Sequence, residues 1–341
     1  MDRTVDLRSD TVTHPTERMR ETMAGARVGD DVFREDPTVA ELEATTAHLL
    51  GKSAGLFCAS GTMANLVAVL THCDRGDAVL ADAEAHLLHY ESGGLSALAG
   101  VFPYPIRTQD GHPTPEELEG AVVPADVHHP RVRLVWLENT HNRAGGVAYG
   151  PERTAAVVRW AHARGLWVHL DGARLWNAAV ALGTSAAELA SGVDSVMVSL
   201  SKGLSAPAGS VLCGSEEFVE RARRWRKAVG GGMRQVGVLA AAGLVALREM
   251  MHRLAEDHRR ARALAEGLAR IPGVEVDLAR VHTNIVLARV ANAPAVMERL
   301  RASGVLALAL DARTLRFVTH RHVNDEDVEH AVRALRAAVG G

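Results

Sequence analysis

The sequence has little cysteine, no strong excess of charge of either sign and no long apolar run. Three cysteines, Cys58, Cys73 and Cys213, occur in 341 residues without a paired spacing, which argues against a disulfide framework and fits a reducing compartment. A formal net charge of −3 offers no basic surface for a phosphate backbone. No stretch of about 18 uninterrupted apolar residues suggests a membrane span, and the polar N-terminus does not resemble a signal peptide. We therefore expect a cytoplasmic protein with neither nucleic acid nor membrane as a partner.

The residues that are present indicate an α/β enzyme of two domains. The chain is long enough for one large and one small domain, and 47% of its residues are hydrophobic, which is ample for a buried core. Apolar runs of strand length alternate with segments of helical period, a pattern typical of a mostly parallel sheet covered on both faces. The predicted strands are 55–58, 78–82, 101–106, 132–139, 166–172, 195–201 and 209–214.

The pattern changes in the last third of the chain. After Gly232 a long Ala-, Leu- and Arg-rich helical stretch, roughly Val236 to Ile271, leads to shorter strand and helix patterns. We expect residues 1–240 to form a large domain that includes the N-terminal segment, and residues 241–341 to form a small α+β domain.

Three groups follow predicted strands of the large domain, where open α/β sheets bind ligands. The turn "ASGTMAN" opens a helix, so its backbone N–H groups and the Thr62 hydroxyl could hold an anion. Asp171 and Arg174 stand at the end of predicted strand 166–172, and Lys202 directly follows predicted strand 195–201. Each has an ordinary explanation, as a helix cap, an ion-pair partner or a solvated lysine.

Together, an anion site, an acid and a lysine match the needs of pyridoxal phosphate (PLP). The helix start would take the phosphate, Asp171 would pair with the pyridinium nitrogen, and Lys202 would form the Schiff base. The stretch "VSLSKGLSAPAGSVL" offers Lys202 no carboxylate. Such surroundings lower the pKa of a lysine and leave the amine free to act as a nucleophile.

Seven blocks of sequence extend this inference to a family. "DLRSDTVTHPT", "GDDVFREDPTV", "SGTMANL", "LENTHNRAGG", "HLDGARLWNA", "SLSKGL" and "RWRKAVGGGMRQVGVLAAAG" together resemble the L-threonine aldolases of the low-specificity type. That resemblance covers nearly the whole chain in the right order. It implies the aspartate-aminotransferase-like fold (fold type I of PLP enzymes) and PLP-dependent cleavage of L-threonine or L-allo-threonine to glycine and acetaldehyde.

The resemblance also implies roles for individual residues. Cofactor ligands would be Ser60, Gly61, Thr62, His86, Asp171, Arg174, Lys202 and, from a neighbouring subunit, Arg234. The substrate carboxylate would be bound by Ser9, Arg174 and Arg316, and the catalytic groups would be Lys202, His86, His141 and Asp171. Arg234 makes the site a property of an oligomer, and by resemblance we expect a homotetramer.

Two points stay open within that family. His86 is expected to stack on the cofactor ring and His141 to lie beside the substrate hydroxyl, so either of them, or a water between them, could be the base. Phe33 stands where many relatives have tyrosine, which puts the preference among substrates in question but not the reaction.

Three other functions are compatible with parts of this sequence. A β-eliminating lyase or an amino-acid racemase could use the same scaffold. A metal hydrolase would need a motif such as His-Glu-x-x-His, which "HLLH" is not, and no metal site is expected. A non-catalytic PLP-binding regulator would have no need for the lysine, aspartate and arginine set.

Overall fold

A computed structural model describes residues 4–122 and 126–340. Seven strands form one large sheet, as the alternation of apolar runs predicts. The first strand of the chain, β1 (Val5–Asp6), lies outside this sheet. The seven members of the sheet are β2 (Ala54–Cys58), β3 (Ala78–Asp82), β4 (Phe102–Ile106), β5 (Val132–Glu138), β6 (Trp167–Gly172), β7 (Ser195–Ser199) and β8 (Ser210–Gly214). Each falls within two residues of a predicted strand.

The strand order in this sheet is β2-β8-β7-β6-β5-β3-β4. Strand β8 runs antiparallel to both of its neighbours, and the other pairs are parallel. Every residue of β7 is buried, because helices cover both faces of the sheet. The carboxyl ends of β5, β6 and β7 therefore open onto one edge, where the loops after them can converge.

Fourteen helices are found in the described residues. They are α1 (Glu17–Ala24), α2 (Pro37–Leu49), α3 (Gly61–His72), α4 (His86–His89), α5 (Gly94–Ala97), α6 (Pro115–Ala121), α7 (Pro151–His162), α8 (Leu175–Leu182), α9 (Ala186–Leu189), α10 (Glu216–Ala228), α11 (Gly237–Val245), α12 (Leu254–Ala269), α13 (Ala293–Ala302) and α14 (Asp325–Gly340). Sequence explains several ends: α7 begins at Pro151 and stops short of Gly165, which has φ of 69°. Within 4–122 and 126–340, no helix is long and apolar enough to cross a membrane.

The long helical stretch predicted between Val236 and Ile271 is divided in the structure. Helix α11 continues into a π-helical segment, Ala246–Met250, and α12 starts afresh at Leu254. The division coincides with a change of core, because Leu254 packs with the large sheet while Ala261 packs with the C-terminal residues. Periodicity alone does not reveal such a change of partner.

A small antiparallel sheet forms the C-terminal unit, as expected of an α+β domain. Strands β9 (Ile285–Arg289), β11 (Leu308–Ala309) and β12 (Thr314–Val318) pair in the order β11-β12-β9, and β10 (Val305–Leu306) lies outside this sheet. Helices α12, α13 and α14 bury their apolar sides in the same core. The α/β fold class, with a large, mostly parallel sheet and a small C-terminal α+β unit, is thus confirmed; the boundary at residue 240/241 remains a prediction.

The N-terminal segment connects the two units. Strand β1 pairs in parallel with β10, so that Val5 lies opposite Val305, and the Val318 N–H donates to the Leu7 carbonyl oxygen over 2.8 Å. Val5 and Leu7 are buried in the core of the C-terminal unit. We call residues 5–10 the N-terminal strap, because it leads from this core into the site described next.

Candidate active site

Lys202 lies in the loop after β7 and is half-buried. Within 4–122 and 126–340 its Nζ makes no hydrogen bond or ion pair, although its carbonyl oxygen accepts from the Thr13 hydroxyl at 2.8 Å. Burial and the positive charge of Arg174 lower the pKa of Lys202 to about 8, against the opposing charges of nearby carboxylates. An amine in this state is a ready nucleophile at neutral pH.

Asp171 ends β6 beside this loop and is buried. Its two oxygens accept from different donors: Oδ1 from the Ala173 N–H at 3.0 Å and Oδ2 from Asn65 Nδ2 at 2.9 Å. Both bonds fix the orientation of the carboxyl group, which would pair with the cofactor ring nitrogen. Sequence position predicted Asp171 but not its amide partner.

An anion site is expected at the start of α3. Ser60 caps the helix by accepting from the Met63 N–H at 3.2 Å, and Ser60 and Thr62 are exposed while Gly61 is half-buried. The Ser210 hydroxyl is buried without a hydrogen-bond partner, 3.6 Å from where a Cβ on Gly61 would stand. Free backbone donors and an unpaired hydroxyl suit a phosphate group at this point.

A second unpaired hydroxyl belongs to the Lys202 loop. The Ser205 Oγ is buried without a partner in the described chain, and the Ser205 N–H donates to the Lys202 carbonyl oxygen. Buried polar atoms are rarely left unsatisfied unless a ligand or water completes them. Together with the unpaired Lys202 amine and the open start of α3, this hydroxyl shows that the residues present fit PLP.

Arg174 and Asp10 form a buried ion pair that sequence reasoning did not find. Arg174 Nε donates to Asp10 Oδ2 at 2.8 Å, and Nη2 donates to Asp10 Oδ1 at 2.7 Å. Asn284 Nδ2 also donates to Asp10 Oδ2, at 3.1 Å. The charge and hydrogen bonds of Arg174 hold the pKa of Asp10 well below its usual range despite full burial. These bonds use the Nε–H and one Nη2–H, so Arg174 can still offer a substrate carboxylate the two N–H groups of Nη1 and the second N–H of Nη2.

Arg316 comes from β12 of the small sheet. Its Nη1 donates to Asn142 Oδ1 at 2.8 Å and its Nη2 to the Arg8 carbonyl oxygen at 3.0 Å, while Nε is buried without a partner. Burial and the cation of Arg174 lower the pKa of Arg316 to about 10. Two buried arginines that repel each other favour binding of an anion nearby.

Ser9 lies on the N-terminal strap between these arginines' partners, Arg8 and Asp10. Its hydroxyl oxygen accepts from the Thr11 N–H at 3.2 Å and the Thr11 hydroxyl at 2.9 Å. The Ser9 O–H proton is therefore available for a further acceptor. Its role as a carboxylate ligand stays a prediction, as do those of Arg174 and Arg316.

His86 begins α4 and is the more accessible of the two expected histidines, with 28% of its side chain exposed. Its Nδ1 lies 2.9 Å from Glu91 Oε1, and its backbone N–H donates to Glu138 Oε2 at 2.8 Å. Burial alone would lower the pKa of His86, but the hydrogen bond to Glu91 and the charges of Asp171 and Glu138 raise it above the usual value.

His141 is fully enclosed. Its Nδ1 accepts from the Ala144 N–H at 3.1 Å, and its Nε2 lies 3.2 Å from Asp82 Oδ1. Gly111, with φ of 91°, allows this ring to pack against the backbone, since a Cβ there would stand 2.5 Å from its Cγ. Burial opposes the charged form, yet Glu138 and Asp82 raise the pKa of His141. The Nδ1 lone pair is thus occupied, whereas Nε2 lies near Asp82 without a hydrogen bond of good geometry.

Arg234 and Phe33 lie together on the surface. The Asp31 N–H donates to the Arg234 carbonyl oxygen, and Arg234 Nη1 lies 3.8 Å from Asp30 Oδ1. Phe33, in the same loop as Asp30, is 72% exposed. Among the described contacts of this single chain, none joins Arg234 to Lys202 or Asp171. Its expected role, toward a neighbouring subunit, stays a prediction.

Three buried residues of the site were absent from the sequence-based set: Asp10, Asn65 and Glu91. Asn65 carried a readable signal, because "MANLVAVL" is otherwise an apolar helix and a polar residue inside it needs a partner. Glu91 and Asp10 carried none, since their partners are fixed only by the fold.

Comparisons with known proteins agree with this geometry. A family described as β-eliminating lyase matches residues 6–293. Low-specificity L-threonine aldolase 1 of Arabidopsis thaliana is 43% identical over 346 residues, covering 99% of this chain and 97% of the relative. The low specificity L-threonine aldolase of Escherichia coli strain K12 is 42% identical over 336 residues, 98% of each chain. The crystal structure of Leishmania major threonine aldolase aligns with a TM-score of 0.84 at 20% identity, over 98% of this chain and 99% of that one.

Proposed function

Because this chain belongs to the β-eliminating lyase family and, within it, to the low-specificity L-threonine aldolases, we propose that it cleaves L-threonine and L-allo-threonine to glycine and acetaldehyde. Membership confirms the resemblance found in the sequence, the lyase class and PLP as cofactor. The observation that carries the proposal is the unpaired Lys202 amine, with its lowered pKa, near the buried Asp171 carboxyl group that Asn65 orients.

The residues divide the work of holding the cofactor. PLP, when bound, supplies an electron-withdrawing ring that weakens bonds at the substrate Cα. Lys202 Nζ would bind its aldehyde carbon, and Asp171 would accept the ring N–H. The start of α3, from Ser60 to Thr62, would donate to the phosphate together with the Ser205 and Ser210 hydroxyls. Arg234 would reach the phosphate of a neighbouring subunit.

Substrate orientation would depend on the carboxylate ligands. Arg316 Nε, Arg174 Nη1 and the Ser9 hydroxyl each have donor capacity left by their protein partners. A carboxylate bound among them fixes which bond at Cα stands perpendicular to the cofactor ring. His86 and His141 lie on the side of β3 and β5, where a base could take the β-hydroxyl proton.

Oligomeric state and location complete the proposal. We expect a homotetramer in the cytoplasm, supported by the exposed Phe33 and Arg234 surface and by the three cysteines, which are free in the structure. Light scattering during gel filtration, with and without PLP, tests the tetramer. An Arg234→Ala chain should still assemble but bind PLP more weakly.

The experiment for the reaction uses purified chain with added PLP. L-Threonine and L-allo-threonine are supplied separately, and acetaldehyde is followed by its reduction with alcohol dehydrogenase and NADH. Lys202→Ala is the control and should lose both the visible absorption of bound cofactor and the activity. Loss of water followed by release of 2-oxobutanoate and ammonia, in place of glycine and acetaldehyde, would instead establish β-elimination.

A further inference from the structure

Glu91 is a buried carboxylate directly beneath His86 that the proposed reaction does not yet use. A single oxygen, Oε1, accepts from both His86 Nδ1 at 2.9 Å and Asn65 Nδ2 at 2.7 Å. Glu91 is 5% exposed, so this arrangement is protected from water. A carboxylate has no proton to give when ionised, and the bond to His86 therefore requires the proton to be on Nδ1.

A chain of hydrogen bonds that runs from His72 to the Asn65 side-chain oxygen agrees with the orientation of the Asn65 amide. His72 Nε2 lies 2.7 Å from the Ser195 hydroxyl, and His169 Nδ1 lies 2.8 Å from the same oxygen. Burial lowers the pKa of His169 to about 4, so its ring is neutral. The proton of this neutral ring belongs on Nε2, which faces Asn65 Oδ1 at 3.4 Å, because the other tautomer would turn the amide round and set Oδ1 against the Asp171 and Glu91 carboxyl groups; Nδ1 then accepts from Ser195.

The Asn65 amide nitrogen faces the carboxyl groups of Asp171 and Glu91. It donates one N–H to Asp171 Oδ2 at 2.9 Å and the other to Glu91 Oε1 at 2.7 Å. The neutral Asn65 amide thereby bridges two buried acidic side chains, Asp171 and Glu91. The donors from His72 to Asn65 point toward Glu91, and His86 Nδ1–H donates to the same Glu91 oxygen from the other side, which leaves His86 Nε2 without a described partner.

We propose that Glu91 is a positioning residue, oriented by Asn65, that keeps the proton of neutral His86 on Nδ1 and makes Nε2 the acceptor of the substrate β-hydroxyl proton. This inference rests on the aldolase reaction proposed above. It also distinguishes the two histidines, because His141 has Nδ1 occupied by the Ala144 N–H and Nε2 beside Asp82. His86 retains one nitrogen that no described protein group occupies.

The proton and electron balance is simple. The O–H bond of the substrate breaks as Nε2–H forms on His86, the Cα–Cβ bond breaks as the C=O bond of the aldehyde forms, and the electron pair stays with Cα until a proton joins it there. The imidazolium formed in this step is stabilised by Glu91, with Asp171 and Glu138 as the other charged groups near the ring. The Tyr90 ring packs on its remaining side, with ring centroids 5.2 Å apart.

A cation site is the competing explanation for this cluster. Ligand atoms of His86, Glu91 and Asp171 lie within 4.8 Å of one another, a spacing compatible with a metal ion. The Asn65 amide argues against it, because its two N–H groups already occupy lone pairs of both carboxylates. A metal would have to displace a donor that His169 holds in place.

The first test reads the position of the proton without relying on catalysis. The full chain, loaded with PLP and labelled with 15N-histidine, is examined by solid-state 15N NMR, and His86 is assigned by the signals lost in His86→Gln. Wild type should show protonated Nδ1 and unprotonated Nε2. In Glu91→Gln the new amide can donate to Nδ1, so the proton should move to Nε2.

The second test measures the reaction in isosteric variants. Glu91→Gln should lower kcat for L-threonine by about 10²- to 10⁴-fold, the usual contribution of a general base, while KM stays within about threefold because the carboxylate ligands are untouched. The limb of the pH profile that reports His86 should move to lower pH. Glu91→Asp keeps the charge and should restore the tautomer and part of kcat.

A matched control is available on the surface. His129 Nδ1 lies 2.9 Å from Asp126 Oδ1 in an exposed pair of the same kind, so Asp126→Asn should leave kcat, KM and the His86 signals unchanged. Wild-type kcat and tautomer in Glu91→Gln would overturn the inference, as would a Glu91→Asp chain no better than Glu91→Gln. Metal found at stoichiometric level and required for the wild-type NMR signals would also overturn it. A wild-type chain that makes no acetaldehyde would refute the proposed function instead, and the tautomer measurement would still stand.

Discussion

Lys202 should titrate near pH 8 when the cofactor is absent. Burial and the Arg174 cation lower its pKa from 10.5 to about 8. At pH 7 the fraction of uncharged amine is then about one tenth, roughly 300-fold more than for a lysine of ordinary pKa. That difference decides how readily the chain captures an aldehyde at neutral pH.

The assay exploits the scarcity of lysine in this chain. Only Lys52, Lys202 and Lys227 occur, so labelling with trace acetic anhydride across a pH series, followed by peptide mass spectrometry, yields a separate curve for each amine. Lys227 is exposed, so its curve shows how an ordinary lysine reacts with the reagent across the pH series. Lys52 donates to the Ala190 and Val193 carbonyl oxygens, so its curve shows the behaviour of a hydrogen-bonded amine.

The result that would refute the reasoning is a midpoint for Lys202 near 10.5. A second check uses Arg174→Gln, which removes one cation and releases the charge of Asp10; both changes should raise the Lys202 midpoint. An unchanged midpoint in that variant would show that Arg174 does not act on the amine as the structure indicates.

Three further predictions concern the groups around this lysine. Asp10→Asn should lower the free energy of unfolding in urea by about 3–5 kcal/mol by breaking a buried ion pair. Because the folded pKa of Asp10 is depressed, its contribution is complete above the unfolded value of about 3.9 and fades as pH falls below it; a loss confined to alkaline pH would contradict this. Arg316→Lys should raise KM for L-threonine about 10- to 100-fold through a weakened charged hydrogen bond, with kcat within about threefold, and an equal loss in kcat alone would count against a carboxylate role. Ser205→Ala should leave the cofactor-free chain at least as stable, since the hydroxyl is unpaired, yet weaken PLP binding about 5- to 10-fold; calorimetry showing unaltered PLP affinity would exclude this hydroxyl from the site.

Much of the fold could be predicted because its signals are local. Strands buried on both faces, such as β7, must be apolar throughout, and ligand groups must follow the carboxyl ends of parallel strands. Position alone therefore brought Asp171 and Lys202 to the same place. The residues on either side of Lys202 in the sequence include no aspartate or glutamate, so the lack of a local partner for its amine could also be predicted.

The remainder depends on contacts between distant parts of the chain. Asp10 and Arg174 are 164 positions apart, and neither position has a local pattern that points to the other. The resemblance implied a carboxylate ligand at Arg174, and the fold adds a buried acid that takes two of its five N–H groups. Nothing in the sequence around Glu91 distinguishes it from an ordinary polar residue, and its role follows only from the fold, which places Asn65 and His86 on either side of it.

The N-terminal strap has a practical consequence for handling the protein. Strand β1 is held by strand β10 of the C-terminal unit, where Val5 lies opposite Val305. Arg316 donates to the Arg8 carbonyl oxygen of the strap, and Asp10 accepts from Arg174. A fusion tag or a trimmed residue at this end would therefore alter the geometry with which amino acids are recognised. Helix α14, whose buried residues join a core away from Lys202, is the better place to attach a tag or tether the enzyme to a surface.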